Sequence, residues 1–149
     1  MSLEYRLTLA GNTPVEQVFR RALPDAEPRS TGRSSVLSGA VRERYGFLAT
    51  VYSGTNGYFD ALSDSGGWEW EPKAYISVSF DLDKFADHHW VTMNMLAVVR
   101  RVLDRGTEDA AFIFNGDVLL LTRFDGVLVK HRRESWWDHY TGANDALPG

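Results

Sequence analysis

The sequence predicts an α+β fold: a single mainly antiparallel sheet of six to seven strands, with two helices packed on one face. Three observations predict it. Period-two alternation marks strands at Leu3 to Leu9 and Ala74 to Leu82. Apolar stripes at helical spacing follow Pro14 and Asp87. Asn115-Gly116 and Asp125-Gly126 interrupt a β-rich stretch as two-residue turns. The chain order reads β-α-β-β-β-α-β-β-β within one domain, residues 1–149.

In the first strand Leu3, Tyr5, Leu7 and Leu9 alternate with Glu4, Arg6 and Thr8, so only one side lies on a core. Gly11 and Asn12 break it. In Thr13-Pro14-Val15-Glu16, Thr13 is expected to cap a helix, Pro14 suits its first position, and Glu16 closes a capping box. Val15, Val18, Phe19 and Ala22 share one face of that helix, and Pro24 stops it. Pro24 to Arg33 reads as a polar loop. Val36 to Arg44 and Phe47 to Tyr52 read as two strands joined near Tyr45-Gly46, with a bulge or close backbone approach at Gly39. Gly54 to Lys73 reads as a long irregular segment containing five Gly or Pro residues. Segments of that length without secondary structure tend to be functional or mobile.

Along Ala74 to Leu82, Ile76, Val78, Phe80 and Leu82 face one way, and Tyr75, Ser77, Ser79 and Asp81 the other. Asp87 is placed to cap a second helix running to about Arg105. Val91, Met95, Val98, Val99, Val102 and Leu103 form its stripe, Arg100, Arg101 and Arg105 sit at the negative dipole end, and Gly106 is the expected stop. The stretch AAFIFNGDVLLLTRFDGVLVKH then reads as two hairpins in series, a three-stranded meander. Residues from about 141 are expected to form a flexible tail.

Composition excludes several classes. At 44% hydrophobic and 24% charged, the chain is close to an average globular protein. Its net charge of −4 offers no overall basic field for nucleic acid or anionic lipid. Zero cysteines exclude disulfides, thiol catalysis and thiolate zinc sites. No apolar run approaches the roughly 20 residues that span a bilayer. With Glu4 and Arg6 inside its opening apolar stretch, the start does not read as a signal peptide. A soluble, cytoplasmic protein is expected.

The search for chemistry finds little. Asp81 and Asp83 project from one strand face, with Asp87, His88 and His89 close behind, so a metal-dependent phosphoryl-transfer site is conceivable there. The spacing matches no motif with a mechanism, Asp87 is better explained as a helix cap, and adjacent histidines point to different helical faces. His131 and His139 complete no zincin pattern, and no nucleophile elbow, Walker loop or Gly-x-Gly-x-x-Gly turn is present. Lys130 to Tyr140 sets a short basic run beside Trp136, Trp137 and Tyr140, but the brief run and a pI near 5.5 disfavour nucleic-acid binding. No catalysis, cofactor or metal is expected.

The segments VSFDLDK, VVRRVLDR and DAAFIFNGDVLLLTRFDGVL, the Trp-containing tail, and the opening LEYRLTLA before a Pro-started helix together resemble the Sit-type immunity proteins. These are small bacterial proteins paired with contact-delivered swarming-inhibition toxins. The resemblance covers residues 1–10 and 74–137, and the segment from Arg20 to Lys73 departs from it. It implies a binding protein that neutralises a co-encoded toxin.

The segment 54–73 is the expected contact site. Asp60, Asp64, Glu69 and Glu71 are accompanied by no Lys or Arg between Gly54 and Pro72, giving that stretch a charge of −4, equal to that of the chain. Tyr58, Phe59, Trp68 and Trp70 lie among them. Aromatic anchors with an acidic rim suit a protein toxin, a basic one matching the charge. The competing expectation is that these rings fold back as a lid on the core. A small regulatory or structural binding domain is the alternative function, and the Asp81/Asp83 enzyme the second.

Overall fold

Tyr5, Leu7 and Leu9 all bury on one side of β1 (Leu3–Ala10), and the main core is assembled on that side. The computed structural model describes residues 3–30, 36–39 and 42–149. After β1 come α1 (Val15–Ala22), β2 (Arg29–Ser30), β3 (Val36–Gly39), α2 (Arg42–Tyr45), β4 (Phe47–Thr55), β5 (Phe59–Ser63), β6 (Gly66–Trp70) and β7 (Ala74–Leu82). Then follow α3 (His88–Asp104), β8 (Ala110–Phe114), β9 (Val118–Phe124), β10 (Val127–Lys130), a π-helical turn (Arg133–Trp137) and α4 (Ala143–Ala146).

The strands form one sheet in the order β2-β3-β4-β7-β1-β8-β9-β5-β6, with β10 also pairing β9. Every pairing is antiparallel except a parallel bridge between Leu62 of β5 and Val118 of β9. The α+β class and the mainly antiparallel sheet are as the sequence predicts. Among the described residues the ten strands exceed the six to seven expected, the additions being β2, β5 and β6.

Helices α1 and α3 contact one another over the inner face. Val15, Val18, Phe19 and Ala22 of α1 and Val91, Met95, Val98, Val99, Val102 and Leu103 of α3 are buried there, facing Leu7, Val78, Phe80 and Phe112 from the sheet. The core is oriented by the period-two alternation of β1, β7 and β8, which sends every second side chain to the helices. Asp87 caps α3 as expected, accepting a hydrogen bond from the Trp90 N–H at 2.9 Å. Both predicted turns occupy the left-handed region, with φ of 49° and 76° at Asn115 and Gly116, and 52° and 78° at Asp125 and Gly126.

Several elements differ from expectation. The capping box at Thr13 does not form, because the Thr13 hydroxyl donates instead to Glu108 Oε2 at 2.7 Å. Glu108 there neutralises the buried Arg21 guanidinium, and a third bond to this paired carboxylate outcompetes a local cap. The strand expected over Val36 to Arg44 stops at Gly39, and Arg42–Tyr45 is a helical turn. The joining residues 40 and 41, and residues 31–33 of the expected polar loop, lie outside the described residues. Gly106 ends α3 by supplying space, since a Cβ there would meet the Arg21 guanidinium and the Glu108 carboxylate. The segment after about 141, expected to be flexible, carries α4 and buries Ala143 and Leu147.

Candidate recognition surface

The long segment expected to be irregular is the β5–β6 hairpin, and it crosses the outer face of the sheet. Ala111, Ile113 and Leu119 point to that outer face and, with Ala61, form a second apolar cluster. Phe59, Trp68 and Trp70 cover it. Trp68 stacks on Phe124 with ring centroids 6.5 Å apart, Trp70 meets the same ring at 5.5 Å, and Phe59 meets Tyr75 edge-on at 5.2 Å.

Register explains how one short hairpin presents two different faces. Phe59 faces Trp70, Asp60 faces Glu69, Ala61 faces Trp68, and Leu62 faces Gly67. Successive side chains alternate sides, so Phe59, Ala61, Trp68 and Trp70 turn to the sheet while Asp60, Leu62, Gly67 and Glu69 turn to water. Tyr58 is 56% exposed and Leu62 53%. The Tyr58 hydroxyl donates to Glu69 Oε1 at 3.2 Å, and this bond, with burial and the nearby carboxylates, pushes the phenol pKa up.

Asp64 is held differently from the other acids. It sits in the hairpin turn, where its Oδ1 accepts the Arg132 N–H at 2.9 Å and its own N–H donates to His131 Nδ1 at 3.3 Å. His131 Nδ1 also lies 3.7 Å from Asp64 Oδ2. The hairpin tip is thereby tied to the segment after β10, with Arg132 at a left-handed φ of 61°. Glu71 is exposed just beyond β6.

Beside the hairpin lies a groove of about 490 Å³, lined by Asp60, Ala61, Leu62, Gly67, Trp68 and Glu69 and by the Gly116-Asp117 turn. Asp60, Glu69 and Asp117 bring carboxylates to it, and among the described residues none of the three is in an ion pair.

The other sequence candidates are dispersed. Asp81 lies on the outer face of β7 opposite Glu4, Asp83 Oδ1 accepts the Phe85 N–H, and Asp87 caps α3. His89 Nε2 bonds the Thr141 carbonyl oxygen, and His88 packs edge-on against Tyr140. Among the described residues no group of three or more His, Asp or Glu side chains gathers for a metal. Trp136 and Trp137 are buried, donating to the Tyr5 hydroxyl at 3.3 Å and the Leu120 carbonyl at 3.0 Å, so their rings do not face bases. Among the described residues no helix is long and apolar enough to cross a membrane.

The hairpin register was missed by sequence reasoning, although a signal exists. Phe59-x-Ala61 and Trp68-x-Trp70 alternate as strands do, on either side of a Ser-Asp-Ser-Gly turn.

No curated protein matches the chain in sequence. Among solved structures it is similar to a phage SAM lyase in complex with S-methyl-5'-thioadenosine, at 10% identity and a TM-score of 0.41, covering 87% of this chain and 89% of that one. That neighbour is an enzyme, so the expectation of a protein without catalysis is withdrawn. At such a score the likeness carries no argument for a lyase activity here. A family model described as SitI3-like matches residues 3–141, carrying the resemblance through residues 11–73, including the stretch set aside in the sequence as a departure. With the whole sheet, both long helices and the acidic hairpin inside that match, the chain belongs to the SitI3-like family.

Proposed function

We propose that this protein is an immunity protein that binds a co-encoded bacterial toxin in the cytoplasm and neutralises it. The observation that carries the reading is family membership over residues 3–141. The two-sided β5–β6 hairpin supports a place for recognition. Its rings Phe59, Trp68 and Trp70 dock it on the sheet, and Asp64 holds its tip. Tyr58, Asp60, Glu69 and Glu71 are left to meet the partner. A basic toxin fits this surface, because acids at an interface rim speed the encounter and penalise like-charged competitors. The test is co-expression with the protein encoded by the adjacent reading frame. Growth arrest by that protein alone, relieved by this chain and accompanied by co-purification of the two, supports the reading. Arrest that persists with the chain present, or two proteins that do not co-purify, overturns it.

A further inference from the structure

Gly67 faces Leu62 across the hairpin, and a Cβ at Gly67 or at Gly116 would have no heavy atom within 4 Å. Both glycines line the groove beside the hairpin and put no side chain into it. Its apolar lining is Ala61, Trp68 and Leu62, the last a large side chain left 53% exposed. Its rim is Asp60, Glu69 and Asp117. Asp60 and Glu69 stand directly opposite one another, an arrangement that costs a hairpin stability when no cation intervenes.

We propose that this groove seats one arginine or lysine side chain of the partner toxin, its aliphatic stem on Leu62 and its cationic head between Asp60, Glu69 and Asp117. The proposal rests on the immunity reading and names the element that the partner must present. Charge complementarity and shape point to the same occupant. An apolar stem carrying a terminal cation is the side-chain chemistry that covers a leucine and still reaches carboxylates at a rim. An uncharged aliphatic side chain would cover Leu62 but leave Asp60 and Glu69 opposite one another and unpaired in a drier environment, which is unfavourable. A free cation would leave Leu62 wet, and among the described residues no group of three or more carboxylates gathers to hold one.

The absent side chain at Gly67 makes a direct test. Gly67→Val fills the groove from a strand position with open space around it, and a β-branched residue favours a strand. The probe is the purified protein encoded by the adjacent reading frame, its dissociation constant measured against wild type and Gly67→Val, with a thermal melt of each free variant. The expected result is a tenfold or greater loss of affinity with the melting temperature unchanged or raised. One Arg→Ala or Lys→Ala substitution in the toxin should reproduce the loss, and combining it with Gly67→Val should add little further. Should Gly67→Val fold poorly, Leu62→Ala with Asp117→Asn is the second variant, and the same tenfold loss is expected. Wild-type affinity in the filled or altered groove overturns the proposal and leaves the immunity reading standing. Loss of affinity that no single toxin cation reproduces overturns the cationic occupant. No binding by wild type at all overturns both.

Discussion

Asp60 stands directly opposite Glu69 on the solvent side of the β5–β6 hairpin, and among the described residues neither carboxylate is in an ion pair. Two like charges face to face on adjacent strands are retained here beside a groove with an exposed leucine. Neutralising one should relieve the repulsion. Asp60→Asn is expected to stabilise the free protein by about 0.5 kcal/mol. It should also slow association with the toxin and flatten its salt dependence, because rim charges act on the encounter rate. Stopped-flow association at several salt concentrations, with a denaturant titration alongside, checks both halves. A variant both less stable and unchanged in association rate contradicts the assignment.

The aromatic residues of the same hairpin should behave oppositely. Trp68 and Trp70 roof the cluster of Ala61, Ala111, Ile113 and Leu119 and share Phe124. Trp70→Ala exposes that cluster and is expected to cost about 3 kcal/mol, the low end for emptying a large aromatic site, because the ring is half-buried. Affinity for the toxin should fall too, through loss of hairpin order, and hydrogen exchange should show it as faster exchange across β5 and β6. A melting temperature close to wild type with lost affinity would instead assign the ring directly to the partner.

What was legible in the sequence was local. The Asn115-Gly116 and Asp125-Gly126 turns, the alternation of β1 and β7 and the Asp87 cap each depend on residues within a few positions of one another. What was hidden depends on distant partners. The Thr13 hydroxyl is claimed by Glu108, 95 residues away, and a propensity rule cannot weigh that competitor. The β5–β6 hairpin is joined to the sheet through the Leu62–Val118 bridge and reads as a loop until the apolar outer face of β8 and β9 is known. The composition of segment 54–73 was visible at once, whereas the division of its acids and rings between two sides required the register.

The Arg21–Glu108 pair gives an acid-sensitive prediction. Burial pushes the Glu108 carboxyl pKa up, but bonds from Thr13 and Arg21 and the Arg21 charge outweigh burial and hold it below its ordinary 4.5. A carboxyl depressed in the folded state contributes stability that is present above 4.5 and lost as pH falls through the folded value. Glu108→Gln leaves the Arg21 guanidinium buried without its counter-charge and should cost about 3 kcal/mol at pH 7. The gap between wild type and variant should narrow toward pH 3. A constant gap over that range shows that the charge of Glu108 is not what stabilises the site.

Lys130 supplies the opposite sign. Its side chain is buried, with Nζ 4.5 Å from the centre of the Trp137 ring and 3.0 Å from Asn144 Oδ1, and no carboxylate pairs with it among the described residues. Desolvation, with the nearby Arg133 charge, lowers its pKa below the ordinary 10.5, and Asp138 opposes them only in part. The unfolded chain therefore keeps this proton to higher pH than the folded one. Between the folded value and 10.5 the unfolded state binds more protons, so stability from this group rises with pH. Lys130→Met removes the buried charge and keeps a flexible apolar chain over Trp137, so the exchange should be nearly neutral at pH 7. The stability of wild type minus that of the variant should then increase as pH is raised through the folded value toward 10.5. Tyr5 and Tyr140, whose pKa values burial raises, pull total stability the other way at alkaline pH, but they are common to both proteins and cancel in the difference. Denaturant titrations of both proteins across that range measure it. A flat difference would mean that the ammonium is as well accommodated folded as unfolded, and that the ring of Trp137 and Asn144 fully replace its water.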